Sequence, residues 1–504
     1  MLVARSVITR ARRRALDRSR LSDSEIRQII DRVKGRVAAA EFARRAGPAI
    51  EASDKLAVSE VELGDGIHPT IDEAVKAARR GFLSYRDMGL ESRKTIVEGM
   101  RAAMLREGER LGYMAAEETG IGRAEDKVVK NRLVTTKTPG PEDLEPHVVT
   151  GDKGMMVTEY APYGVIGSIS PTTNPTSTII NNSISVISAG NALVFNVHPN
   201  AALVSVENIK LLNRAIVSAG GPTDLITAIP HPTLESAREV MHHPDVRVLL
   251  VTGGPGVVKE ALKTSKKAIT AGPGNPPTVV DQTADVDAAG RDIYLGASFD
   301  NNVICTDEKT TIVVDTVADR LVQAMVSNGA YRLKEHEIKR LERVIFREMG
   351  PPNKPGMINP ELIGKSAQRI LSEIGLTVDN DVRLIVAEVP REHNLVWTEQ
   401  MMPVMPVVRV QNVDDAIDLA VESEHGFRHT ASIHSTNVDT ITRMARAMNC
   451  SIFVANGPNY SGLGEGGEGF TSFSIASPTG EGLTRPRHFS RVRRISVIGA
   501  LRIV

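Results

Sequence analysis

The stretch "YGVIGSISPTTNPTSTIINNSISVISAGNALVFNV", residues 163–197, decides the architecture. "YGVIGSIS" is a short apolar, β-branched run that ends in polar turn residues, which reads as a strand. "STIINNSISVISAG" has the length of a helix and closes on Gly190, and "NALVFNV" is a second strand. The alternation continues. "AALVSVENIKLLNRAIVSAG" reads as a helix closed by Gly220, "DLITAI" and "VRVLLVTGG" as strands, and "TLESAREVMHH" as the helix between them. A second run follows, with "TTIVVDT", "ADRLVQAMVSNGA", "DVRLIVAEV", "MPVVRV", "DDAIDLAVES" and "TASIHS". Strands alternating with helices predict doubly wound, mainly parallel sheets. Upstream, residues 70–120 read as helices, opened by Thr70 with Glu73 at capping spacing and stopped by "TGIG". No internal repeat of 20–50 residues is present.

A chain of 504 residues implies two or three folding units, and 41% apolar with 24% charged residues is ordinary for a globular protein. Net charge is zero, but residues 1–47 carry 13 Lys+Arg against 5 Asp+Glu, a difference of +8. A basic leader on a mildly acidic body is not by itself a nucleic-acid signature. No apolar run approaches the ~18 residues that span a bilayer, and no apolar stretch at the start suggests secretion. The two cysteines cannot build a disulfide framework, and no ligand spacing suggests a metal. A reducing compartment is expected.

Residues 1–21 form an Arg-rich leader, read as disordered, with a transit peptide as the alternative. In "SDSEIRQIIDRVKGRV", residues 22–37, Ser22 and Glu25 have capping-box spacing, and Ile26, Ile29, Ile30, Val33 and Val37 share one helical face. This amphipathic helix either packs on the body or docks into another protein's groove. Residues 38–50 are a linker.

Cys305 sits in "SFDNNVICTDEKTTIVV", residues 298–314. A free cysteine is most often a buried structural thiol, which suits Cys450 in "MNCSIFVANGP". The polar surroundings of Cys305, with Asp300, Asn301 and Asn302, suit that reading less well. Ligands in sheets of this kind bind beyond the carboxyl ends of the strands. There, "PTTNPTST" replaces the usual GxGxxG fingerprint with a stiff turn that aims Asn174 into the cleft, and "VTGGPGVVKEAL" offers a Gly-rich turn where backbone amides can approach a phosphate.

"PYGVIGSISPTTNP", "INNSISVISAGNALVFNVHPNA", "VTGGPGVVKEAL", "AGPGNPP", "DNNVICTDEK" and "TEQMMPVMPVV" occur in that order. Together they resemble the aldehyde dehydrogenase superfamily over roughly residues 50–500, and more narrowly its CoA-acylating branch of bacterial microcompartments. "GGEGFTSFSIASPTGEG" is similar to that branch too. The resemblance implies an α/β fold of two doubly wound domains plus a small β oligomerisation arm. The cofactor domain would comprise 51–143 and 161–272 and the catalytic domain 273–483, with 144–160 and 484–504 as oligomerisation strands. It implies Cys305 as nucleophile, with Asn174 and the Cys305 N–H as oxyanion donors. Thr172, His198, Pro199, Thr252, Gly253, Gly254, Gly272 and Glu399 would contact the cofactor, Glu399 at the nicotinamide ribose. His198 has a plain helix-start role as its alternative. The cofactor would be NAD, with NADP left open, and coenzyme A the co-substrate.

Two departures from the wider superfamily carry information. Its members hold a glutamate, the base for the hydrolytic water, where this chain has Ala271. An alanine cannot deprotonate water, whereas a thiol of pKa near ~8.5 is already partly ionised near neutral pH. Thiolysis is therefore favoured over hydrolysis. At the adenosine ribose, Asn196 and Pro199 replace a Lys and a Glu. The expected reaction is oxidation of propionaldehyde or acetaldehyde to acyl-CoA. A glutamyl-phosphate reductase and a non-catalytic shell protein are the alternatives. The expected setting is a cytoplasmic homodimer or homotetramer inside a microcompartment, with residues 22–37 meeting a shell protein and no nucleic-acid or membrane partner.

Overall fold

The structure is a computed structural model and describes residues 62–501. The leader 1–21, the amphipathic segment 22–37 and the linker 38–50 lie outside the described residues. Thr70 opens helix α1 (Ile71–Tyr85), its Oγ1 accepting from Glu73 N at 3.3 Å. Helix α2 (Leu90–Thr119) ends at Gly120 in the left-handed conformation, φ 61°, as "TGIG" implies. A further helix, α3 (Ala124–Lys137), follows.

A five-stranded sheet comes next, built from β3 (Val165–Ile169), β4 (Ala192–Asn196), β5 (Ile226–Ala228), β6 (Val246–Thr252) and β7 (Lys267–Ala271). Its order is β5-β4-β3-β6-β7 and every pairing is parallel. Crossovers are made by α4 (Pro175–Ser188), α5 (Ala202–Ser218) and α6 (Leu234–His242). Every residue of β3, β4 and α4 is buried. That is why β3 and β4 read as near-continuous apolar runs rather than as an alternating pattern. Helix α7 (Pro255–Leu262) joins β6 to β7.

The second sheet contains β8 (Pro277–Val280), β9 (Thr310–Val314), β10 (Ala330–Arg332), β11 (Leu384–Glu388), β12 (Val404–Val410), β13 (Thr430–His434) and β14 (Ile452–Ala455), in the order β10-β11-β12-β9-β8-β13-β14, again parallel. Successive residues feed opposite cores. Val279, Ile312 and Ile385 pack on one face, and Val280, Val313 and Leu384 on the other, where α8 (Val286–Ser298) lies. The chain later returns to the first core, through Phe473, Ile475, Ala476 and Phe489.

Besides two small two-stranded sheets there is a three-stranded antiparallel sheet of β1 (His147–Gly151), β2 (Gly154–Pro162) and β15 (Ser490–Ile498), in the order β1-β2-β15. Among the described residues no helix is long and apolar enough to cross a membrane. The connection that matters for function is Gly272–Pro276. It runs from the carboxyl end of β7 to the amino end of β8, and Cys305 sits just before the amino end of β9. The first sheet thus turns the carboxyl ends of its strands, and the second the amino ends of β8 and β9, toward the Gly272–Pro276 connection.

Candidate active site

From Asp300 to Val314, Cys305 is the only residue that is not fully buried. The backbone before it is unusual. Asp300, Asn301 and Asn302 adopt φ of 45°, 55° and 64°. A left-handed step costs roughly 1–2 kcal/mol for most residues, and Asp and Asn are the side chains that tolerate it best. Three in succession need external support, and each side chain is tied down. Asp300 accepts from Arg123 N at 2.6 Å and from Lys127 Nζ at 3.1 Å, and also pairs with Lys130. Asn301 Nδ2 donates to Gly364 O at 2.9 Å, and Asn302 Nδ2 to Ala297 O and Glu308 O at 2.8 and 2.9 Å. Gly122 is required here, because a Cβ would lie 2.0 Å from Asp300 Oδ1.

Lys309 closes the turn from the other side. Its buried ammonium donates to Asn302 O at 2.7 Å, Asn302 Oδ1 at 2.6 Å and Ile304 O at 3.0 Å, which matches its three N–H groups. Asp307 Oδ2 accepts from Ile304 N at 3.1 Å. Cys305 therefore projects from a rigid loop, with its own N–H beside its sulfur. Burial pushes the thiol up to about 12, the Glu399 carboxylate adds to this, and the Lys309 charge opposes it. Burial also pushes Glu399 up to about 7 and Glu308 up to about 8.

Asn174 stands at the start of α4, at the carboxyl end of β3. Its Oδ1 accepts from Lys130 Nζ at 2.6 Å and its Nδ2 meets only Thr173 Oγ1, at 3.2 Å. Thr172 in the same turn has a buried hydroxyl without a partner. At the end of the neighbouring strand β6, Thr252 Oγ1 pairs with Ser474 Oγ at 3.0 Å. A Cβ on Gly253 would make only ordinary contact and one on Gly254 none, so packing requires neither glycine. Small residues there leave room for an approaching ligand. The orphan Thr172 hydroxyl, this open turn and the Glu399 carboxylate fit a dinucleotide. His198 Nδ1 accepts from Asn200 N at 3.1 Å, the helix-start role, and Pro199 follows it, exposed. Asn196 is occupied internally, accepting from Ser236 Oγ at 2.5 Å and donating to Thr233 O at 3.3 Å.

Loop Gly272–Pro276 carries no carboxylate. Gly272 abuts Pro478, whose Cγ would lie 2.9 Å from an added Cβ. Gly274 N donates to Glu399 Oε1 at 3.3 Å. A Cβ on Gly274 would lie 2.7 Å from the Cys305 carbonyl oxygen and 3.1 Å from His429 Cγ. His429 is a residue that sequence reasoning missed. It is buried, burial and Lys309 push its imidazole down to about 4, and its Nε2 has no partner. A lone His before a strand gave no signal. Lys127 and Lys130 were missed as well. Their signal was present: Asp126, Lys127 and Lys130 recur at helical spacing on one face of α3, just after Arg123 at its N-cap.

The model of the aldehyde dehydrogenase family matches residues 45–335 and 383–473. The chain belongs to the aldehyde dehydrogenase family. This family member is 46% identical over 440 residues to the acetaldehyde dehydrogenase (acetylating) EutE of Salmonella typhimurium, covering 87% of this chain and 94% of that one. It is 45% identical over 444 residues to the propanal dehydrogenase (CoA-propanoylating) of Citrobacter freundii, covering 88% and 95%. Among solved structures it resembles a Rhodopseudomonas palustris propionaldehyde dehydrogenase with bound CoA and an acylated cysteine, at 46% identity and TM-score 0.85, covering 88% and 100% of the two chains. An engineered glycolyl-CoA reductase with bound NADP+ matches at 45% and 0.84, covering 88% and 100%. A propionaldehyde dehydrogenase from a fucose-utilisation microcompartment of Clostridium phytofermentans matches at 41% and 0.84, covering 87% and 100%.

Proposed function

We propose that this enzyme is a CoA-acylating aldehyde dehydrogenase acting on propionaldehyde or acetaldehyde through a thioester on Cys305. The observation that carries the reading is the Gly272–Pro276 loop. The loop and the strand end before it offer only Ala271 and glycines, with Gly274 closed to any side chain by the Cys305 carbonyl, so this segment supplies no carboxylate to activate water. The Glu399 carboxylate beside the thiol is taken up by the cofactor ribose in this reading. An acyl group on Cys305 then waits for a nucleophile that ionises by itself, and a thiol does.

In this reading Cys305 Sγ adds to the aldehyde carbonyl, and the oxyanion accepts from Asn174 Nδ2 and the Cys305 N–H. A bound nicotinamide supplies the hydride acceptor and a positive charge beside the thiol. Collapse of the oxyanion leaves the acyl group on Sγ. The CoA thiolate attacks that carbonyl, acyl-CoA departs and the Cys305 thiolate returns, with one proton released overall. NADH release should require both aldehyde and CoA, and Cys305→Ser should abolish it while the protein stays folded. Near-normal turnover by that variant would sink the reading.

The cofactor is NAD in this proposal. Glu118 accepts from Leu203 N at 2.8 Å and Val204 N at 2.7 Å, so a carboxylate already occupies the amino end of α5 beside the His198–Pro199 turn. A 2′-phosphate there would meet negative charge instead of free donors. Comparable kcat/KM with NADP would refute this. The arm sheet joins a second copy, giving a dimer or tetramer. The microcompartment homologue supports the same setting for this enzyme, reached through residues 22–37. Residues 1–47 fused to a fluorescent protein should co-localise with shells, and a diffuse fusion beside packaged full-length enzyme would exclude that route.

A further inference from the structure

The lysine face of α3 has no part in the reaction as derived above, yet it reaches both halves of the oxyanion site. Lys130 and Lys127 are each 1% exposed. Lys130 Nζ donates to Asn174 Oδ1 at 2.6 Å and pairs with Asp300 Oδ2. Lys127 Nζ donates to the same Asp300 oxygen at 3.1 Å and to Thr173 O at 3.2 Å, which fixes the backbone one residue before Asn174. Asp300 is also the first residue of the left-handed turn that leads to Cys305. Its backbone N–H donates to Asp126 Oδ2 at 2.9 Å, and that carboxylate is held by Arg383 at 2.8 Å. One buried carboxylate thus ties the nucleophile turn to the amide across the cleft.

We infer that Lys130 is a positioning residue of the oxyanion site, fixing by its contact with Oδ1 which end of the Asn174 amide faces the substrate. The two ends of a carboxamide have nearly the same shape and opposite polarity. An ammonium can only donate, so it binds only the oxygen end and leaves the NH2 end for the substrate. A flipped amide would set its carbonyl against the developing oxyanion. The cation also draws electron density from the amide and strengthens its N–H donors. Lys130 needs Asp300 to be tolerated in a buried site, since an unpaired buried charge is strongly disfavoured. Asp300 in turn is placed by Lys127, Arg123 N and Gly122. The cluster therefore forms a third wall of the active site, built from a helix that carries no reacting group.

The inference rests on Asn174 being an oxyanion donor, and the test separates the two. Lys130→Met, Asn174→Ala and the double variant are assayed for kcat and KM with propionaldehyde and saturating CoA and NAD, and for melting temperature. Loss of an oxyanion donor costs about 10²–10³-fold in kcat. Lys130→Met should approach that, at about 10²-fold, with KM for aldehyde changed little. The double variant should be no slower than Asn174→Ala alone, because without the amide there is nothing to orient. Melting temperature shows that each variant is folded, and the loss from Lys130→Met should be no larger in the Asn174→Ala background, where the 2.6 Å contact is already gone. If the kcat losses multiply, or if Lys130→Met is folded and as fast as wild type, the inference fails. If Asn174→Ala is itself as fast as wild type, the oxyanion assignment fails first. Should Lys130→Met not fold, Lys130→Arg keeps the charge but moves the donor, and the same cycle is run with it. Kcat losses that vanish in the Asn174→Ala background support positioning, and multiplying losses overturn it.

Discussion

Glu399 and Cys305 lie in one electrostatic field, and their titrations define what the cleft does at working pH. Burial holds the Glu399 carboxyl up at about 7, from an ordinary 4.5. It is neutral below that value and ionised above it. The ionised form accepts hydrogen bonds from both hydroxyls of a ribose, whereas the neutral form keeps one of its oxygens as a donor. NAD binding should therefore weaken as pH falls from 8 to 6, by about five- to tenfold. In Glu399→Gln the affinity should be lower at pH 8 and flat across the range. A wild-type affinity independent of pH would show that Glu399 does not meet the ribose. The role proposed for Cys305 comes from the motif resemblance, its polar neighbours only making a plain structural thiol less apt, and the same Asp-Asn-Asn run forms the left-handed turn. The conformation itself was not legible. Asn and Asp tolerate positive φ singly, and three in a row persist only because Lys309, Arg123 N, Lys127 and Gly364 O, all outside the three residues, hold them.

At the scale of elements, "YGVIGSIS", "NALVFNV", "VRVLLVTGG" and "TTIVVDT" appear as β3, β4, β6 and β9. Gly190 and Gly220 follow α4 and α5 with φ of 82° and 84°. These signals are local: apolar β-branched runs favour buried strands and a glycine at positive φ ends a helix. Helix α3 escaped because Asp126, Lys127, Lys130, Asn131 and Thr135 share its buried face with only Leu133 and Val134, so no continuous apolar stripe marks it. Strand β7 escaped because "KAIT" is short and starts on an exposed lysine. The same strand ends on Ala271, which is buried at the mouth of the Gly272–Pro276 loop. Ala271→Glu places a carboxylate at the position where the resemblance implies the hydrolytic base of the wider family. It should raise the ratio of free acid to acyl-CoA severalfold, measured by product analysis at saturating aldehyde. Stability should fall as well, because a buried carboxylate must be desolvated. An unchanged ratio in a folded variant would mean that water does not reach the thioester.

For the molecule as a whole, the three-stranded sheet is the part that keeps an open edge among the described residues. Every residue of β1 is exposed, and β15 offers a nine-residue edge whose outer side pairs with nothing among the described residues. Val492, Ile495 and Ile498 are 68%, 50% and 80% exposed on it, and Val148 and Val149 stand out on β1. A long unpaired edge with apolar side chains invites strand addition, and an isolated three-stranded sheet open on both faces is weakly stable alone. Arg491, Arg493 and Arg494 interrupt the apolar positions and disfavour indiscriminate pairing. In the proposed assembly a second copy of the chain would supply a matching edge by symmetry. Asn174, Cys305 and Glu399 all come from one chain, so loss of the partner should leave the chemistry standing while lowering stability. Ile495→Asp combined with Ile498→Asp should shift the protein to a smaller species in sedimentation velocity, with kcat within about threefold of wild type and a lower melting temperature. A variant that keeps the wild-type mass, or a wild-type enzyme that sediments as a monomer, would show that this edge is closed by something other than a second copy.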